Sequence, residues 1–151
     1  MSIKARYVHT NLIAEDWKKL ARFYTEVFGC IPVPPERNFK GKEISAGTGI
    51  PNVHLQGAHL RLPGFNEGGP TLEIFSYSPQ INRIKSEVNR PGFGHIAFQV
   101  DNVEKAKKTV LNYGGKEIGE IVTLRVSADS KVTWCYVTDP EGNILELQTW
   151  S

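Results

Sequence analysis

Two periods of apolar residues alternate along this chain. From Tyr7 to Ile13 apolar and polar residues interleave at short spacing, the pattern of a half-buried strand. Trp17, Leu20, Ala21, Phe23, Tyr24, Val27 and Phe28 then fall at helical spacing. Glu15 and Asp16 stand at the positive end of that helix's dipole, and Gly29 closes it. The stretch Ile31–Asn52 is rich in Pro, Gly and charge, and its spacing predicts an edge strand followed by a long loop. Ala58–Leu62 and Thr71–Tyr77 are strands, joined by the turn-rich residues 63–70. In the connector Ser78–Gly94, the segment Gln80–Val88 suggests a short helical turn.

The alternation then starts again. His95–Val100 is a strand, Asp101 or Asn102 caps a helix over Val103–Tyr113, and Gly114-Gly115 end it. Three strands follow, at Lys116–Val126, Lys131–Thr138 and Asn143–Thr149. The turn Asp139-Pro140-Glu141-Gly142 joins the last two. Both halves thus run β-α-β-β-β. Glu15 and Asp101 come six residues after His9 and His95, and Gly29 and Gly115 come twenty after them. Each half ends in a strand with a central glutamate, Glu73 in Thr-Leu-Glu-Ile-Phe and Glu146 in Ile-Leu-Glu-Leu-Gln. The His-to-Glu spacing is 73 − 9 = 64 in the first half and 146 − 95 = 51 in the second, and the insertion before Asn52 accounts for the difference. A two-module repeat brings equivalent strands into a pseudo-symmetric sheet.

Candidate chemistry sits on these matched strands. Taken singly, His9, Glu73, His95 and Glu146 would be ordinary strand residues. As equivalent pairs they supply two imidazoles and two carboxylates. Buried carboxylates are costly and raise each other's pKa when they converge, and a divalent cation balances both. His and Glu donors suit nickel, zinc, cobalt, manganese or iron. Around Glu73, Leu72 and Ile74 share one face, while Glu73, Phe75 and Tyr77 share the other. Around Glu146, Leu145 and Leu147 form the apolar face. His54 and His59 have no such repeat partners and read as structural or surface residues, with substrate contact as the alternative.

Composition adds mainly exclusions. A chain of 151 residues fits one domain, 1–151, with modules at about 5–78 and 93–150. A net charge of +2, from 18 basic and 16 acidic residues, gives no case for a nucleic-acid or membrane partner. No apolar run reaches transmembrane length, and the first residues lack the apolar stretch of a signal peptide. Cys30 and Cys135 are widely separated and read as reduced thiols in a cytoplasmic protein.

Val-His-Thr-Asn-Leu, Phe-Tyr-Thr-Glu-Val-Phe-Gly, Thr-Leu-Glu-Ile-Phe, Gly-Phe-Gly-His-Ile-Ala-Phe-Gln-Val-Asp and Asp-Pro-Glu-Gly-Asn-Ile-Leu-Glu-Leu carry a resemblance over nearly the whole chain. It resembles the vicinal oxygen chelate superfamily, which includes glyoxalase I, extradiol dioxygenases and the bleomycin- and fosfomycin-resistance proteins. Glyoxalase I-like members are the most similar. The resemblance implies an α+β fold in which two βαβββ modules form a curved half-barrel of mixed sheet around a metal. It implies His9, Glu73, His95 and Glu146 as ligands of a divalent metal. It also implies a lyase or isomerase that acts on a small carbonyl substrate through an enediolate. Glu146 would be the catalytic base and Glu73 its pseudo-symmetric counterpart. Phe75, Tyr77, Gln99 and Trp134 would line the pocket, whereas Arg61, Arg125 and Lys131 read as surface residues, with anion contact as the alternative. A homodimer is expected, as many two-module members dimerise. An iron dioxygenase or resistance enzyme, and a non-catalytic small-molecule binding protein, are the alternatives. Where glutathione-dependent glyoxalase I carries an arginine and an asparagine, this chain has Ile13 and Tyr77, which argues against glutathione.

Overall fold

The computed structural model describes residues 2–151. The chain divides into two compact units, the first ending at Asn82 and the second spanning Arg83–Ser151. Among the described residues there are three helices and two open mixed sheets.

The first unit runs β1 (His9–Ile13), α1 (Trp17–Phe28), β2 (Ile31–Lys40), α2 (Lys42–Thr48), β3 (His54–Arg61) and β4 (Thr71–Ser78). Its strands lie in the order β1-β4-β3-β2, with β1 parallel to β4 and the other pairs antiparallel. The Asp16 carboxylate accepts the Lys19 N–H at 3.0 Å and starts α1. Gly29, at φ +69°, ends the helix by donating its N–H to the Thr25 carbonyl. The apolar stripe Leu20, Ala21, Phe23 and Tyr24 is buried, and α1 packs on β3 and β4. Ala58, Leu60, Leu72 and Ile74 form the sheet side of that core. Alternation therefore turns His59 and Glu73 to the opposite face.

The second unit runs β5 (Ile96–Gln99), α3 (Val103–Asn112), β6 (Lys116–Glu117), β7 (Val122–Ser127), β8 (Ser130–Thr138) and β9 (Ile144–Trp150). The order is β5-β9-β8, with β6 and β7 both paired to β8. Here too the first strand is parallel to the last. Asn102 is the residue that caps α3, accepting the Lys105 N–H at 2.8 Å. Val103 and Val110 of α3 are buried, as are Phe98, Cys135, Val137, Leu145 and Leu147 of the sheet. Asp139 is 1% exposed. Its carboxylate accepts the backbone N–H groups of Glu141 and Asn143 and the Asn143 side-chain amide, and so fixes the turn into β9.

Several expectations need correction. The long loop expected before Asn52 contains α2. This helix has only Ile44 and Ala46 as apolar residues ahead of Gly47 and buries no residue, so no amphipathic stripe announces it. The strand before it extends to Lys40, with a register shift between Val33 and Arg37 where Pro34-Pro35 cannot donate ladder hydrogen bonds. β3 begins earlier than expected, at His54. Gln80–Val88 forms no helical turn; a backbone bond from Arg90 to Glu87 makes a simple turn at its end. The strand expected at Lys116–Val126 is broken over residues 118–121 into β6 and β7. His9 opens β1, whereas His95 lies one residue before β5.

Candidate functional site

Within the first unit, parallel pairing sets Asn11 of β1 opposite Glu73 of β4. His9 is two residues before Asn11 and shares its face. Its Nε2 lies 2.7 Å from Glu73 Oε2. Within the second unit, Ala97 of β5 is opposite Glu146 of β9, and His95 is two residues before Ala97. Its Nε2 lies 2.8 Å from Glu146 Oε2. The two units therefore build the same imidazole–carboxylate pair with the same register offset.

Antiparallel pairing adds a third residue to each. His59 of β3 is directly opposite Glu73, with Nε2 3.8 Å from Oε1. Its Nδ1 is 3.3 Å from the Thr71 hydroxyl, and its ring makes edge contacts with His9 and Phe75. In the second unit Tyr136 of β8 is directly opposite Glu146, and its ring lies 5.0 Å from that of His95. His59 and Tyr136 therefore occupy corresponding positions in the two units, one a histidine and the other a tyrosine. Cross-strand register places these residues, and no local motif reports it.

Burial sets the electrostatics. Glu73 is 7% exposed. Among the described residues neither glutamate has a lysine or arginine within ion-pair distance; each is met only by imidazoles. The His59 pKa is lowered by desolvation, against the opposing pull of Glu73; Arg37 and His9 lower it further. Desolvation raises the Tyr136 phenol, and the Glu146 charge adds to the effect. Among the described residues no three or more His, Cys, Asp and Glu side chains are grouped so as to hold a metal ion. Each unit supplies one nitrogen and one carboxylate donor, and those atoms suit a divalent ion.

The expected pocket residues fall on the same faces. Phe75 is 7% exposed, and Tyr77 follows it along β4. Trp134 stacks edge-on against Tyr136 and is opposite Gln148, which on its other side pairs with Gln99 of β5. Arg61 shares the Glu73 face of its sheet. Arg125 and Lys131 pair with each other on the face opposite Glu146, so they are removed from that site.

The glyoxalase/bleomycin resistance protein/dioxygenase superfamily model matches residues 6–147. The chain belongs to that superfamily. Solved structures agree on the superfamily fold. A glyoxalase family protein from Bacillus cereus superposes with TM-score 0.74 at 19% identity, covering 99% of this chain and 95% of the other. A glyoxalase/bleomycin resistance protein/dioxygenase family enzyme from Burkholderia phytofirmans gives 0.60 at 16% identity, with 96% and 98% covered. The fosfomycin resistance protein FosX from Listeria monocytogenes, in complex with Mn(II) and sulfate, gives 0.52 at 15% identity, with 98% and 93% covered. A search of curated proteins finds no match. Among the described residues no helix is long and apolar enough to cross a membrane.

Proposed function

We propose that this superfamily member is a metal-dependent, glyoxalase I-like lyase or isomerase acting on a small carbonyl substrate. The observation that carries the reading is the repeated pair, His9–Glu73 and His95–Glu146, at 2.7 and 2.8 Å with the same register offset. The donor set fits a divalent ion because each carboxylate is met by imidazoles and by no lysine or arginine among the described residues. His9, Glu73, His95 and Glu146 would hold that ion, in one chain or across a homodimer. Nickel, zinc, cobalt, manganese and iron are the candidates. When bound, the ion supplies Lewis acidity that makes the C–H next to a carbonyl easier to ionise.

The chain's own residues do the rest. Glu146 takes the proton from the substrate carbon and returns it to the neighbouring carbon, with an enediolate between the two steps. Tyr136, directly opposite Glu146 on the neighbouring strand, flanks that carboxylate, and burial together with the Glu146 charge raises its phenol pKa. Glu73 is the counterpart carboxylate, and His59 buttresses it from the adjacent strand. Phe75, Tyr77, Gln99 and Trp134 line the faces on which the substrate rests.

Metal analysis of protein purified without chelator comes first, followed by solvent-deuterium incorporation during turnover of α-keto hemithioacetals and acyl-CoA thioesters. Glu146→Gln should keep the fold and lower turnover at least about a hundredfold. Full activity in that variant overturns the base assignment. Oxygen uptake with catechols would move the protein to the dioxygenases, and metal-free protein that binds ligand without turnover would make it a binding protein.

A further inference from the structure

Arg61 ends β3 on the face that carries Glu73 and His59. Strand pairing places it in one row with Ile31, Thr71 and His9. Neighbouring strands are about 4.8 Å apart, so the Arg61 and His9 backbones are about 10 Å apart across Thr71. Arg61 is half-buried, and among the described residues its guanidinium makes no hydrogen bond or ion pair. Beside it lies a cavity of about 310 Å³ lined by Ile31, Val33, Arg61, Glu67 and Thr71. The Thr71 hydroxyl on that wall also contacts His59 Nδ1, and His59 approaches Glu73. Thr71 is therefore shared: it lines this cavity and, through His59, touches the group that includes the His9–Glu73 pair. Glu67 is the opposing charge on this wall, but it is exposed and forms no ion pair with Arg61.

A half-buried guanidinium without a partner presents a planar fork of donors that matches a carboxylate, phosphate or phosphonate. We infer that the substrate carries an oxyanion, and that Arg61 receives it in this cavity with help from the Thr71 hydroxyl. This rests on the metal-centre reading, which puts the reacting oxygens at His9 and Glu73. The row spacing sets the substrate's reach, with the anion a few bonds from the carbonyl.

Titration calorimetry of the metal-loaded full chain with methylphosphonate and with malonate tests the inference and separates phosphonate from carboxylate preference. Wild type should bind at least one probe. Arg61→Gln should weaken that binding at least about tenfold, and Arg61→Lys should fall between. Arg125→Gln, which removes the same charge from the opposite face of its own sheet, should bind as wild type does. Equal binding by wild type and Arg61→Gln overturns the proposal, as does failure of wild type to bind either probe. Metal content, measured on each variant, reports separately on the metal-centre reading. Loss of anion binding with unchanged metal content assigns Arg61 to the substrate and leaves the ligand set standing.

Discussion

Gly57 and Gly47 should respond to the same substitution with opposite signs. Gly57 sits on β3 opposite Phe75, two residues before His59. A Cβ added there would lie 2.0 Å from Phe75 Cδ1, 2.1 Å from the Ile74 carbonyl oxygen and 2.9 Å from Phe75 Cα. The phenyl can turn away, but the two backbone atoms cannot. Restoring an ordinary 3.4 Å contact to the carbonyl requires β3 and β4 to separate locally by 3.4 − 2.1, about 1.3 Å. That strains the ladder between them and draws His59 away from Glu73. Overpacking of this kind costs about 1–3 kcal/mol. At about 2–4 °C per kcal/mol for a chain of this length, Gly57→Ala should melt about 2–12 °C lower. Gly47 lies inside α2, where an added Cβ would meet nothing within 4 Å and φ is not positive. Gly47→Ala should add about 0.5–1 kcal/mol by restricting the unfolded chain and favouring helix. Thermal and urea unfolding followed by circular dichroism measure both variants. Gly57→Ala melting at or above wild type would refute the reasoning, as would Gly47→Ala melting below it.

Other consequences follow from burial and capping. Cys30 is 1% exposed, and burial pushes its thiol up to about 12. A pKa raised above the unfolded value gives stability that is intact below about pH 9 and is lost as pH rises toward 12. The loss is of order 4 kcal/mol at about 1.36 per unit. Urea midpoints across that range should fall in wild type and fall less in Cys30→Ala; identical slopes would contradict the assignment. Asp16→Ala and Asn102→Ala each remove a side-chain cap and should each lower unfolding free energy by about 1 kcal/mol in urea titrations. Asp139→Ala strands two backbone N–H groups and one amide. A loss of about 2–4 kcal/mol is expected, and a variant within about 0.5 kcal/mol of wild type would show that the turn is held by other contacts.

Much of this architecture is legible in local pattern. The α1 stripe, its Asp16 and Gly29 ends and the paired His and Glu strands are set by neighbours in sequence, so periodicity and capping chemistry expose them. α2 is hidden because its seven residues carry almost no apolar face and include Gly47; its ends at Gly41 and Gly49 resemble a loop's. The site is legible only in part for a different reason. His9 and Glu73 repeat at His95 and Glu146, and a repeat can be seen along one dimension. The position of His59 opposite Glu73 depends on how β3 registers on β4 across the turn-rich residues 62–70. Its counterpart Tyr136 shares no chemistry with a histidine, so sequence comparison of the halves does not find it. Register in each sheet likewise distinguishes Arg61, on the Glu73 face of its sheet, from Arg125 and Lys131, on the face opposite Glu146 of theirs, three cations that composition treats alike.

The interruptions in the outer strands have a consequence for the protein's behaviour at high concentration. β2 borders the first sheet and bends at Pro34-Pro35, while the border of the second is divided between β6 and β7. An unbroken border strand would offer a straight row of free amides and carbonyls on which another chain could add a strand. Prolines without N–H groups, a register shift and the gap over residues 118–121 leave no long template on either border. Each unit can thus keep an open sheet without also offering a long edge for aggregation.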